Sequence, residues 1–174
     1  DALGDLAARW QEDVIDLRPD VLSVFVGTND AERHLGRLLR ADDPKTVPDF
    51  DFADWERTYR GLLDQARQAN PALKIVLCTP FAAPCGKIVE GALGEYYPLR
   101  QRILAQCCVI VERIAADYGA TLVPFHRLIA DLETRLPNGD ATYWVWDGIH
   151  PTPAGQRLMA DCWIGAAARS GVME

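Results

Sequence analysis

The stretch VLSVFVGTND, residues 21–30, decides which fold class this chain can adopt. Its first six residues are valine-rich and apolar except for one serine, which predicts a short strand buried on both faces of a sheet. The segments KIVLCTP (residues 74–80) and TLVPF (residues 121–125) have the same character. Helical patterns occupy the intervals between them. Strands that alternate with helices predict a parallel sheet between two helical layers, which is a three-layer α/β/α sandwich.

Amphipathic helices are predicted from apolar residues that recur every three or four positions. Asp54 is a suitable N-cap for one of them, and Gly119 is a suitable C-cap for another. An exposed loop is expected at residues 40–52, a loop with a few apolar residues at 81–94, and a turn at 137–140. The predicted helices cover residues 3–17, 54–70, 98–118, 128–136 and 153–169.

The composition is that of one globular domain, and it excludes several classes of partner. The chain has 174 residues, and 25 acidic residues against 18 basic ones give a net charge of −7. This charge argues against nucleic acids and anionic membranes as partners, because both require a basic surface. The apolar runs are too short to span a bilayer. The sequence has no glycine-rich phosphate loop and no metal-ligand cluster, so we expect no cofactor and no metal.

The cysteines and the first residue bear on the cellular compartment. The cysteines lack both CxxC and Cys/His metal spacing, so we expect reduced, buried thiols. The chain begins at Asp1 without a signal stretch. We therefore expect the start of the gene product, where any signal would stand, to lie upstream. Separately, we expect a cytoplasmic location. The five cysteines are Cys78, Cys85, Cys107, Cys108 and Cys162.

Two short motifs carry residues suited to catalysis. GTND follows the first predicted strand, and the carboxyl ends of parallel strands are where sites form. Asn29 there can donate an amide N–H to a developing oxyanion, and Gly27 allows close approach of a substrate. The alternative for this motif alone is an Asx turn after a strand.

The second motif is DGIH, in which Asp147 stands three residues before His150. A carboxylate at this spacing can curl back to accept the Nδ1 proton of the imidazole. Nε2 is then free to act as a base. Pro151 and Pro153 stiffen the segment and remove competing N–H donors. The alternative is a histidine with only a structural role.

Together, GTND and the terminal DGIHPTPAGQRL resemble blocks III and V of the SGNH (GDSL-type) hydrolases. The segments LAARWQEDVIDLRPD before GTND and FDFADWERTYRGLLDQARQANPALKIVLCTPF after it are similar to the corresponding parts of bacterial members. The resemblance extends over nearly the whole chain. It implies a flavodoxin-like SGNH hydrolase fold and a single domain, residues 1–174, that corresponds to the C-terminal three-quarters or so of the family domain.

The resemblance also implies a serine esterase or lipase that acts on a small-molecule ester, including O-acetyl groups on sugars. His150 would be the general base and acid, and Asp147 its orienting carboxylate. Asn29 would be an oxyanion donor, and Gly27 would shape the GTND block in which Asn29 lies. The family's nucleophile is a serine in a Gly-Asp-Ser block, which this chain lacks. Ser23 and Ser170, the two serines of the sequence, do not follow a strand-to-helix turn, and we predict that residues 1–174 alone are inactive.

The missing Gly-Asp-Ser block coincides with a missing part of the predicted sheet. In the family order the three visible strands would be the third, fourth and fifth, so the first strands are missing. The strand at residues 21–26 would then be an uncovered apolar edge, which folded proteins avoid. We expect a missing N-terminal segment or a second copy of the chain to cover it.

Four further residues are weaker candidates. Trp144 and Trp146 flank the DGIH loop and would either wall an acyl or sugar pocket or pack in the core. His34 is expected on a surface segment and His126 beside the third strand, both without a catalytic role.

Two other functions remain open. One is a non-catalytic carbohydrate- or ester-binding module that kept the fold without the serine. The other is a flavodoxin-like binding domain in which the Asp/His pair is accidental.

Overall fold

The computed structural model describes residues 1–135 and 141–173. Three parallel strands form one sheet in the order β1-β2-β3, with β1 at Val21–Phe25, β2 at Lys74–Cys78 and β3 at Thr121–Val123. The strand segments predicted from the sequence are confirmed. β3 ends earlier than predicted because Pro124 follows it, and the Pro124 carbonyl already accepts the first hydrogen bonds of the next helix.

Helices surround the sheet throughout the described ranges. A π-helical turn, Gln11–Ile15, extends the first helix, and 3-10 turns lie at Pro44–Thr46 and Gly86–Val89. The turn predicted at residues 137–140 lies outside the described residues, as does residue 136. The α-helices are α1 Leu3–Trp10, α2 Thr28–Arg40, α3 Phe52–Ala69, α4 Gly91–Glu95, α5 Tyr97–Asp117, α6 Phe125–Arg135 and α7 Pro153–Arg169.

The sheet separates two apolar cores. Leu22, Ile75 and Leu77 point into one core, together with apolar residues of α1, α3 and α5. Val76 and Val123 point into the other, together with residues of α6 and α7. Alternate residues of β2 thus enter opposite cores, as expected for a central strand. The predicted α/β/α sandwich is confirmed.

β1 differs from the prediction, because it is buried on one face only. Leu22 and Val24 are buried, whereas Val21, Ser23 and Phe25 are exposed, and Phe25 retains 45% of its accessible surface. Helix α7 packs over β3 and approaches β1 through Trp163, whose Nε1 donates a hydrogen bond to Ser23 Oγ at 3.0 Å. In the described parts of the chain β1 pairs with β2 alone, so its other edge is open.

Helix α2 packs more deeply than the sequence indicated. His34 was expected on a surface segment, but only 3% of it is exposed, because α2 lies against α5. A fully buried Arg100 of α5 forms an ion pair with Glu32 of α2 and donates a hydrogen bond to the Ile88 carbonyl at 3.2 Å. Since breaking a buried ion pair is costly, this contact holds α2 in place beneath the end of β1.

The cap of α3 is also corrected. The N-cap is Asp51, whose carboxylate accepts the backbone N–H of Asp54 at 2.9 Å. Asp54 therefore lies in the first helical turn, where a negative charge is favourable. None of the helices in the described residues is both long enough and apolar enough to cross a bilayer.

Candidate active site

The DGIH loop is held by a short antiparallel ladder just before α7. The Trp146 N–H donates to the His150 carbonyl at 3.1 Å, and the Thr152 N–H donates to the Trp144 carbonyl at 2.9 Å. Thr152 then caps α7, because its hydroxyl accepts the Gly155 N–H at 3.2 Å. The loop is thus fixed at both ends by backbone contacts.

Within the loop, Asp147 and His150 form a close pair. His150 Nδ1 lies 2.7 Å from Asp147 Oδ2. The other carboxylate oxygen, Oδ1, accepts the backbone N–H groups of Ile149 and His150 at 3.1 and 2.8 Å. Gly148 makes this curl feasible, because it has φ 95° and a Cβ there would lie 2.4 Å from Ile88 Cδ1.

The environment of the pair favours an ionised Asp147. Burial by itself would raise the pKa of Asp147, but the hydrogen bonds from the His150 ring and from the two backbone N–H groups lower it below its usual value. The side chain of Asp147 is 14% exposed and that of His150 is 61% exposed. The carboxylate therefore stays inside the loop and fixes the ring orientation, while Nε2 has no hydrogen-bond partner in the described part of the chain.

Gly27 and Asn29 lie where β1 passes into α2. Gly27 has φ 128°, and a Cβ at this position would lie 2.7 Å from Pro80 Cγ, so the turn requires glycine. Asn29 is exposed, and its Nδ2 donates to the Asp1 carbonyl at 3.2 Å. A side-chain amide has two N–H donors, so one remains available.

The two motifs meet in one pocket of about 340 Å³ at the carboxyl end of β1. Gly27, Asn29 and His150 all line it, although Asn29 and His150 are 121 positions apart in the sequence. Four apolar lining residues were not singled out from the sequence: Leu6, Phe25, Val26 and Ile149. The signal for the last three was position alone, because Phe25 and Val26 directly precede GTND and Ile149 lies within DGIH.

The hydroxyl groups of Thr28, Ser23 and Ser170 already form hydrogen bonds to residues outside the pocket lining. Thr28 lines the pocket, but its Oγ1 donates to the Phe81 carbonyl at 3.0 Å. Ser23 accepts the Trp163 hydrogen bond in the middle of β1 and is exposed rather than buried as predicted. Ser170 lies beside Thr121 at the opposite, amino end of β3, with its Oγ 2.6 Å from Thr121 Oγ1. Neither serine lines the pocket.

The cysteines do not offer an alternative nucleophile. None of the five forms a disulfide within the described residues, and four of them are buried. Burial raises the pKa of Cys78 and of Cys108 to about 12, so both are neutral near pH 7. A neutral buried thiol is unreactive, because the thiolate is the nucleophilic form.

The remaining candidates lie outside the pocket lining. The ring of Trp146 is exposed and stacks on the His150 ring, with centroids 5.8 Å apart. Trp144 packs against the core beneath α7. His126 lies on α6, where its Nδ1 is 2.7 Å from Thr79 Oγ1, and burial lowers its pKa. This contact joins α6 to the end of β2 and is structural.

The fold and this pocket define an α/β protein with a paired Asp/His and an amide donor at the carboxyl end of a parallel strand. Residues 2–158 match the model of the GDSL-like lipase/acylhydrolase family. The chain belongs to that family.

Relatives with known names agree with this assignment. The chain is 32% identical over 163 residues to an acetylxylan esterase of Geobacillus stearothermophilus, which covers 92% of this chain and 64% of the esterase. It thus spans less than two thirds of that relative's length. Its structure is similar to a protein of Parabacteroides merdae described as a GDSL-like lipase, with a TM-score of 0.77, 27% identity and coverage of 97% of this chain and 69% of that one.

The structure of the acetylxylan esterase itself is also similar. It gives a TM-score of 0.73 at 26% identity, covering 95% of this chain and 67% of that chain. Catalytic mutants of that esterase with solved structures replace a serine, an aspartate and a histidine, and the last two stand three positions apart. A further mutant replaces a tryptophan directly before that aspartate.

Proposed function

We propose that this chain provides the base, the orienting acid and one oxyanion donor of a serine-type carboxylic ester hydrolase. The observation that carries the proposal is the 2.7 Å contact between His150 Nδ1 and Asp147 Oδ2 in a loop whose histidine shares a pocket with Asn29. A histidine oriented by a carboxylate and facing an amide donor is the arrangement that acyl transfer requires.

The chemistry has two steps. A serine Oγ attacks the ester carbonyl carbon and gives its proton to His150 Nε2, while an Asn29 N–H stabilises the oxyanion. The tetrahedral intermediate collapses, and the alcohol leaves with the proton from His150. Water then attacks the acyl-enzyme with His150 as base, which releases the carboxylic acid and regenerates the serine. Asp147 holds the imidazole orientation in both steps.

The serine would come from outside these 174 residues. The pocket lining has no serine, and both serines of the chain are committed elsewhere. The open edge of β1 is a ready place for a further parallel strand, about 4.8 Å away. The carboxyl end of such a strand would lie beside Gly27 and His150, where a nucleophile is needed.

The acetylxylan esterase relative supports this assignment. Its Asp and His have the spacing of Asp147 and His150, and its tryptophan has the position of Trp146. Its serine stands farther ahead of its aspartate than the 146 residues that precede Asp147 here. Trp146, stacked on His150, then covers one side of the catalytic ring.

For the substrate we propose a short acyl ester, specifically an O-acetyl group on a carbohydrate. The pocket volume of about 340 Å³ is at the low end for ligand sites. Phe25 and Ile149 give it apolar walls that suit an acetyl methyl group. The acetylxylan esterase relative makes a sugar the favoured alcohol part.

The test compares residues 1–174 with the longer gene product on p-nitrophenyl acetate. We expect turnover only from the longer protein, with labelling of one upstream serine by a phosphonate and slower turnover of longer acyl esters.

Full activity of residues 1–174 that disappears in His150→Ala would refute an external nucleophile. Ligand binding without turnover by the longer protein would favour the non-catalytic module. If the longer protein instead dimerises through β1, a second copy covers the open edge of that strand. That result would refute the proposal that an upstream segment of the same chain covers it.

Asn29→Ala in the longer protein tests the oxyanion role. We expect kcat to fall about 10²- to 10³-fold with little change in KM, because the lost donor acts on charge that develops in the transition state. Steady-state kinetics on p-nitrophenyl acetate measure this effect. Asn29→Asp, which keeps the shape and lacks the donor, should fall as far. Loss of stability with an unchanged kcat would instead assign Asn29 only the contact to the Asp1 carbonyl.

A further inference from the structure

A second pocket, of about 900 Å³, lies between α2, the segment at residues 41–51 and α5. It shares no lining residue with the pocket that contains His150. Its walls are largely apolar and include Phe50, Phe52 and Leu99. Nothing in the proposed ester hydrolysis uses this pocket.

His34 lines this second pocket and is almost entirely buried. Only 3% of the residue is exposed, and its Nδ1 is buried without a hydrogen-bond partner in the described part of the chain. Its ring meets the ring of Phe50 edge-on, with centroids 5.8 Å apart. Burial lowers the pKa of His34, so the imidazole is neutral near pH 7. Buried polar atoms are nearly always paired. A bound ligand can supply the hydrogen-bond partner that this nitrogen lacks.

The rim of the same pocket is cationic. Lys45 and Arg102 are exposed lining residues, and neither forms an ion pair within residues 1–135 and 141–173. Asp49 is the one carboxylate among the described lining residues. The rim therefore has a net positive charge in a chain whose net charge is −7.

We propose that this pocket binds a hydroxyaryl carboxylate. The ligand carboxylate pairs with Lys45 and Arg102 at the rim, and the ring packs against Phe50 and Phe52. The phenolic hydroxyl bonds to the His34 imidazole, whose unpaired Nδ1 becomes reachable when the ring turns toward the ligand. Each part of the ligand matches one feature of the pocket. The carboxylate matches the unpaired cations at the rim, the ring matches the aromatic walls, and the hydroxyl matches the unpaired ring nitrogen.

The test is calorimetric titration of the protein with three matched probes: para-hydroxyphenylpropionate, phenylpropionate and tyramine. We expect saturable binding of the first with a dissociation constant below about 1 mM. Phenylpropionate lacks the hydroxyl group and should bind about tenfold more weakly. Tyramine replaces the carboxylate with a cation and should not bind. Equal affinity for all three probes, or no saturable binding, would overturn the proposal.

Substitutions of pocket residues test whether the probe binds in this pocket. Lys45→Gln with Arg102→Gln should weaken binding of para-hydroxyphenylpropionate at least tenfold, because the carboxylate loses both cations. The exposed pair Lys87→Gln with Arg169→Gln is the charge-matched control and should leave affinity unchanged. His34→Leu should remove the preference for the hydroxylated probe. If His34→Leu fails to fold, the Lys45/Arg102 variant alone tests the site. Equal weakening of binding by the Lys45/Arg102 pair and by the Lys87/Arg169 control pair would refute the site. Binding needs no turnover, so this outcome is independent of the proposed hydrolase.

Discussion

His150→Ala is expected to lower kcat/KM for p-nitrophenyl acetate by roughly 10⁴-fold or more in the longer, serine-bearing protein. The physical reason is that His150 moves the proton in both steps, so no other group can substitute for its free Nε2. Steady-state kinetics, together with the rate of phosphonate labelling, measure the loss. Labelling should slow in parallel, because the serine is no longer activated.

The matched control for this variant is His126→Gln. His126 is also a partly exposed histidine with its Nδ1 bonded, but its partner is Thr79 and it does not line the pocket. We expect its activity to stay within a few-fold of the parent protein. Equal losses from the two variants, with the fold intact by circular dichroism, would remove His150 from the proposed mechanism.

Asp147→Asn is expected to lower kcat by about 10⁴-fold while leaving the loop in place. The introduced amide oxygen can still accept the N–H groups of Ile149 and His150, but its NH₂ group would donate to His150 Nδ1. That contact favours the tautomer with the proton on Nε2, which cannot act as a base. Asp161→Asn on α7, which removes a surface pairing with Arg157, is the control. A near-normal kcat for Asp147→Asn would show that the carboxylate does not set the tautomer.

The same variant should change the response of the protein to acid. The folded-state pKa of Asp147 lies below that of an aspartate in the unfolded chain. Its contribution to stability is therefore fully present above that value and is lost as the pH falls through the folded-state pKa. Thermal unfolding followed between neutral and acidic pH should include this loss in the parent protein, and the loss should be reduced in Asp147→Asn.

The strands, most helices and the Asp/His pair were determined by the sequence itself, because they depend on neighbours along the chain. Helix α2 was not predicted, and α4 lies largely in a segment that was predicted to be a loop. Apolar runs and helical periodicity need only local patterns. Asp147 and His150 are three residues apart, and Gly148 between them permits the curl. The local geometry of this pair therefore follows from four consecutive residues, Asp147 to His150.

Only the tertiary structure decided which distant residues meet and which faces are covered. Asn29 and His150 share a pocket because β1 and the segment before α7 end at the same side of the sheet. His34 is buried because α2 packs on α5, and Phe25 is exposed because α7 covers β3 and not the outer face of β1. Burial depends on packing between elements far apart in the sequence, and no local pattern records which partner each face will find.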